Sequence, residues 1–370
     1  MALNTCYGAS VSTDPVRAVA ELAAQTGSSD KDGLLFFCSP DFDLAVLGRE
    51  LARTYSCPTV GCTSSGHFGP AGFQRSGIIG VTFSGGGLRL RTYPVTPLAA
   101  YVDQVSCIAE DIRARSDATP DLNRFGMLLV DGLSMAEERL VAALYQHVGN
   151  LPLIGGSAGD NLKFEHTCVY VDGLFLSDAA VFTLFETTHP VATIKTQHFA
   201  AGDTELVITR ADPERRIIHE MNGEPAATAY AEAIGQRIEA LTPAVFSRHP
   251  LVLQLGGDAY VRSIQKVNDD LSLSCYCAID EGLIVSIGRA LDPLQTIASA
   301  MAELRRSVPE PALVLGCDCI LRRLEFEQTA IDDDMSRLMA ANLLFGFYTY
   351  GEQYNGLHVN QTLTAVAIGG

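Results

Sequence analysis

One pattern recurs three times along the chain and narrows the possible folds more than any single motif: an apolar strand, a helix, a second apolar strand ending in glycine, and a returning strand. The first copy reads GLLFFC (33–38), the amphipathic DFDLAVLGRELART with Asp41 as its cap, PTVGCTSSG (58–66) and GIIGVTFSGG (77–86). The second reads FGMLLVDG (125–132), SMAEERLVAALYQHVG (134–149), LPLIGGSAGD (151–160) and a strand pair in CVYVDGLFLSDAAVFTLFE. The third reads ALVLGCDC (312–319), IDDDMSRLMAANL (331–343), LFGFYTYGEQ (344–353) and TLTAVAIGG. Short apolar runs bounded by glycine fit strands buried on both faces, and the returning strands make the sheets mixed. The expected fold is therefore α/β, with mixed sheets built from this repeated unit and two domains.

A different region separates the second and third copies. VATIKTQHF (191–199) and ELVIT (205–209) read as strands joined by a turn at AAGD, and Asn222-Gly223 as a turn before a helix that Pro225 can open. After Thr242 come short strands and then the helix LQTIASAMAELRRS (294–307). The expected division is an N-terminal segment 1–32, a first domain 33–218 and a second domain 219–370.

Charge removes several functions. A net charge of −17 with no Lys/Arg run opposes binding to nucleic acid or anionic lipid. No apolar run reaches the roughly 18 residues of a membrane span, and the N-terminus lacks a basic-then-apolar leader, so the expectation is a cytoplasmic protein. Ten scattered cysteines fit reduced, mostly buried thiols.

Gly155-x-Ser157-x-Gly159 has the spacing of a serine-hydrolase elbow, but the following DNLKFEHTCVYVDG has hairpin character where that elbow needs a helix. A structural turn, or a pocket wall in which Gly155, Gly156 and Ser157 present bare backbone N–H groups, is the better reading. No dinucleotide or triphosphate fingerprint occurs. Cys275/Cys277 and Cys317/Cys319 each place two thiols on one strand face, which leaves open a zinc or iron–sulfur site or a redox switch, although zinc sites favour wider spacing and buried thiols are commoner. Cys38 and Cys317 read as matching strand ends of the first and third copies. His198 shares a largely apolar strand face with Ala192, Ile194 and Thr196, where a neutral imidazole could hold haem iron or simply bond a carbonyl in the core. His358 and His166 are weaker candidates. Asp258, Arg262, Lys266, Glu281, Glu352 and Gln353 sit at strand ends beside apolar residues, the mixture a small polar ligand needs.

Taken together, GCTSSG, LLVDGLS, LIGGSAGDNLKF, MNGEPA (221–226), KTQHF, RSIQK (262–266), LVLGCDCILRR and GFYTYGEQYNGLHVNQTLT resemble the FIST family of ligand-sensing proteins, over nearly the whole chain. The resemblance implies FIST N-type and FIST C-type domains in a bacterial signalling protein that is a sensor, not an enzyme. It is strongest to the branch described as haem-binding nitric oxide sensors, which implies non-covalent haem b and a partner histidine kinase or cyclic-di-GMP enzyme. Within that reading His198 is the proposed iron ligand, with His358, Gly155, Gly156, Ser157 and Arg262 around the cofactor. A haem-free sensor of a small polar metabolite such as an amino acid is the alternative. The sequence departs from the family at Gly66-His67, where many members have Gly-Glu.

Overall fold

The computed structural model describes residues 2–85 and 87–370, so residue 1 of the expected N-terminal segment and residue 86 of the expected strand 77–86 lie outside it. The three repeats build three six-stranded sheets of one design. In the first, the order is Asn4–Ser10, Ile78–Ser84, Gly33–Cys38, Thr59–Thr63, Val169–Val171, Leu174–Leu176. In the second it is Leu88–Val95, Ala180–Thr187, Asn123–Val130, Leu153–Ser157, Glu352–Tyr354, Leu357–Val359. In the third it is Val191–Thr196, Leu363–Gly369, Pro311–Cys319, Leu344–Thr349, His67–Gly69, Gly72–Gln74. Only the two central strands of each sheet pair in parallel; the edge strand, also joined to the sheet through a helix, is kept from them by the returning strand that pairs between.

Each sheet ends in a hairpin that belongs to another repeat, and the exchange closes a ring. The second repeat lends its hairpin to the first sheet, the third to the second, and the first to the third. Every hairpin tip rests on a helix of the sheet it joins: a Cβ on Gly173 would meet Ala52, on Gly356 Tyr145, and on Gly72 Ser336.

The repeat also shows in register. Gly61, Gly155 and Gly346 stand opposite Phe36, Leu128 and Gly316 on the parallel partner strands. A Cβ at these glycines would lie 2.3, 2.3 and 1.8 Å from the partner carbonyl oxygens, so a side chain is excluded at one equivalent position in all three units.

Strand alternation distributes the apolar residues between two layers. Leu35, Phe37, Leu129, Leu315 and Phe347 point into a core shared by the three sheets. Leu34, Phe36 and Cys38 lie instead under the helices Pro15–Thr26 and Leu44–Thr54, and the other two sheets carry equivalent outer layers. Asp14, Asp43 and Asp292 cap their helices by accepting the amide three residues on. The cap of the second helix is thus Asp43; Asp41 is occupied by Ser39 and Lys163.

The repeat is longer than its sequence signal, because each unit starts with an edge strand and an extra helix. Residues 4–26 supply these for the first unit. In the third unit the edge strand Val191–Thr196 and the helix Pro293–Ser307 are separated by an insertion, an eight-stranded sheet spanning residues 199–290 with its own core around Ile218, Tyr230, Phe246 and Leu273. Its path from Asp258–Arg262 to Ile264–Val267 places chain neighbours at opposite ends, separated by Ser263 alone, so the sheet curls on itself. The expected boundary at 218/219 falls inside the strand Ile217–Met221 of this unit.

Other expectations need correction. AAGD is no turn: Phe199–Asp212 runs through it as one strand with a register shift between Ala201 and Glu205, and Gly202 packs on the Ile287 carbonyl. A helix, Pro243–Arg248, precedes the short strands after Thr242, and another, Ile320–Gln328, follows Cys319 directly. The Asn222-Gly223 turn is present, with φ of 52° and 83°.

Candidate functional site

The Gly-rich strand ends of the second and third repeats meet the inserted unit, and a cleft of about 410 Å³ opens between them. Gly132, Leu133, Met135, Glu137, Phe164 and Tyr350 form the ring's wall; the inserted unit contributes residues 215–217, 265–266, 268 and 274–276. Phe164, Tyr276 and Tyr350 make an aromatic face, with ring centroids 5.1 to 6.1 Å apart.

Asp160 holds this face in place. Its carboxylate accepts the amides of Phe164 (3.0 Å), Glu165 (2.7 Å) and His166 (3.0 Å) and the hydroxyl of Tyr350. Burial pulls the carboxyl upward, but these donors prevail and keep it below the usual range. The loop it gathers places three non-glycine residues, Asn161, Leu162 and Phe164, at φ of 59°, 63° and 54°. Such backbone persists only where its surroundings impose it, and here it aims Phe164 at the cleft.

Below the cleft a closed chain of hydrogen bonds ties the two units. Arg216 of the inserted unit donates to Glu137 at 2.6 Å, to Glu138, and to the Tyr276 carbonyl at 2.8 Å. Ser157 donates to Glu137 at 3.3 Å, Gln353 donates to Ser157 at 3.2 Å and to His358 Nδ1 at 3.3 Å, and His358 Nε2 returns to the Tyr276 carbonyl at 3.4 Å. Neighbouring carboxylates outweigh burial and raise the Arg216 pKa, so its charge is permanent.

The expected residues separate into three places. Ser157, His358, Gly155 and Gly156 lie in or under this network. Ser157 shares its oxygen with Glu137 and Gln353 and no helix follows it, so no hydrolase elbow is formed; Gly155 and Gly156 lack Cβ atoms because Leu128 and Thr349 press against them. Arg262 sits apart, its Nε buried without a partner. His198 lies where the chain leaves the ring for the insertion. Its face is not apolar: Arg322 donates to Nδ1 at 2.6 Å, Nε2 meets Glu325 at 2.6 Å, and Arg322 also pairs with Asp318 at 2.6 Å.

This bears on a metal or haem. An iron ligand needs a free ring nitrogen. Both nitrogens of His198, and both of His358, are engaged by protein, so the residues as arranged do not fit haem at either. Among the described residues no group of three or more His, Cys, Asp or Glu could hold a metal ion. Cys275, Cys317 and Cys319 fall in three different cores, and burial pushes these thiols and that of Cys277 upward. By register Cys38 matches Asp318, whereas Cys317 matches Phe37.

Of the expected polar group, Lys266 lines the cleft while Glu352 and Gln353 are buried beneath it. Asp258 and Glu281 are exposed. Sequence reasoning does not reach Arg215, Arg216, Glu137, Tyr276 or Tyr350 as individual site residues. For Phe164, Lys266 and Tyr350 the clue was present in NLKF, RSIQK and TYGEQ.

Two units packed over a polar and aromatic cleft make a small-ligand-binding protein. A FIST N domain matches residues 32–224 and a FIST C domain residues 226–355. The chain belongs to the FIST family, whose domains are sensors of small ligands in signal transduction. No curated protein matches it. Among the described residues no helix is long and apolar enough to cross a membrane.

Proposed function

We propose that this protein senses a small ligand held in the cleft between the ring and the inserted unit, and that it signals through the seating of the inserted unit on the ring. The observation that carries this is convergence: Phe164, Lys266 and Tyr350, from three separated family-like segments, share one cleft with both FIST domains in its walls. A larger groove of about 620 Å³ beside the helix Pro293–Ser307 takes Lys195, Thr196 and Tyr354 from such segments but no residue from the inserted unit, and Lys195 already lies 4.6 Å over the Tyr260 ring. A ligand can shift the seating only by binding one arrangement more tightly than the other, and a cleft walled by both units supplies that difference.

The favoured ligand is a haem-free metabolite, since neither His198 nor His358 offers a free nitrogen. A histidine kinase or cyclic-di-GMP enzyme, the partner the resemblance implies, would read the inserted unit's position. Native mass spectrometry after incubation with a metabolite mixture tests the site: the bound mass should vanish in Ser274→Trp, which fills the cleft, and persist in Thr193→Trp in the larger groove. The reverse pattern contradicts it. A Soret band after haem supply that responds to nitric oxide and is lost in His198→Ala would restore the haem reading.

A further inference from the structure

The cleft's lining also selects a ligand chemistry. We infer that it takes a carboxylate carried on a flat ring, an inference that rests on the cleft being the sensor's ligand site. Three cations, Arg215, Arg216 and Lys266, line it against one acid, Glu137. In a chain of net charge −17 the general field repels anions, so a locally cationic wall reverses the surrounding preference.

The three cations are not equivalent. Arg216 is committed to Glu137, Glu138 and the Tyr276 carbonyl. Arg215 and Lys266 are exposed and make no ion pair among the described residues. Strand pairing places them: Ile217 stands opposite Ser274, and Ser274 opposite Lys266. Neighbouring strands are about 5 Å apart, so Lys266 on one side and, on the other, Arg215 in the turn two residues before Ile217 flank Ser274, all three lining the cleft. An anionic group at that point meets two unneutralised charges and the Ser274 hydroxyl, which accepts from Asn268 Nδ2 at 3.0 Å and would turn its proton from Asn268 Oδ1, at 3.2 Å, to the anion.

The opposite wall is apolar and aromatic. Phe164 and Tyr350 present rings, Tyr276 of the inserted unit packs against both, and Leu133 and Met135 extend the surface. Phe164 is fixed there by the Asp160 amide cradle, so the wall is formed before a ligand arrives. A ring lying on this face with its acid directed at Ser274 uses both walls, which an inorganic anion or a neutral ring alone does not. The volume, about 410 Å³, suits a molecule of that size.

Three probes separate the terms by calorimetry: indole-3-acetate, its neutral amide indole-3-acetamide, and acetate. The acid is expected to bind, the amide and acetate each about tenfold more weakly or worse, as suits the loss of a charge-assisted hydrogen bond or of ring stacking. Lys266→Met and Arg215→Met, both surface changes, should each weaken the acid by about tenfold, and raised salt should weaken it further. Amide binding equal to the acid, or no binding by any probe, overturns the carboxylate assignment. Acid binding that survives both Ser274→Trp and Leu133→Trp, which fill the cleft from opposite walls, overturns the cleft itself.

Discussion

Glu352 and His67 occupy equivalent places, each the first residue of an exchanged hairpin, opposite Gly156 and Phe347 respectively. Both are fully buried, and burial favours the neutral form of each: the Glu352 carboxyl is pushed up to about 8 and the His67 imidazole down to about 4. The contribution of Glu352 is complete below its ordinary 4.5 and is lost as pH rises towards 8. That of His67 is complete above its ordinary 6.5 and is lost as pH falls towards 4. Stability should therefore be greatest between these limits. Glu352→Gln, neutral at every pH, should gain on the wild type from pH 5 to pH 8 by on the order of 3 kcal/mol in urea unfolding; parallel pH profiles would contradict this. His198 acts as a pin at the root of the insertion, since its carbonyl also accepts Leu291 N at 2.7 Å as the chain returns. His198→Ala leaves Arg322 and Glu325 without that partner and should cost about 3 kcal/mol in the same assay. A loss under about 1 kcal/mol would show that the pin is dispensable.

The exchanged hairpins and the excluded Cβ positions make a second test. Gly346→Ala sets a methyl 1.8 Å from the Gly316 oxygen and should cost more than about 3 kcal/mol in thermal unfolding, whereas Gly69→Ala, whose methyl would meet Phe345 at an ordinary 3.5 Å, should be nearly neutral. Equal midpoints would refute the strand-packing argument. The sequence already makes these units visible, because strands such as GLLFFC are apolar on both faces and end at glycines. It does not show the exchange: pairing Glu352 with Gly156 depends on three units closing together, and no local pattern encodes that. The insertion is hidden for a related reason. Only Gln197 and His198 separate Val191–Thr196 from Phe199–Asp212, so the chain passes from ring to inserted unit almost without a break in strand character. His198 read as a ligand because its neighbours in sequence are apolar, while its actual partners lie more than a hundred residues away in the helix Ile320–Gln328.

Arg216 is the strongest electrostatic tie between ring and inserted unit, with both it and Glu137 buried. Arg216→Met leaves the Glu137 carboxylate unpaired, a change that typically costs about 3–5 kcal/mol. That loss falls at the junction, so amide exchange should accelerate in 137–148 and 274–279 but not in 33–38. Uniform acceleration would mean that the tie supports the whole fold and not the seating of one unit. The cleft itself was only partly legible, because its walls come from segments spread between residues 132 and 350 and NLKF, RSIQK and TYGEQ become neighbours only in the fold. The most direct test is a crystal structure of the protein soaked with indole-3-acetate. The account predicts density for the ring against Phe164 and Tyr350 with the carboxylate between Arg215 and Lys266; density in the groove beside Pro293–Ser307 with the cleft empty would contradict it.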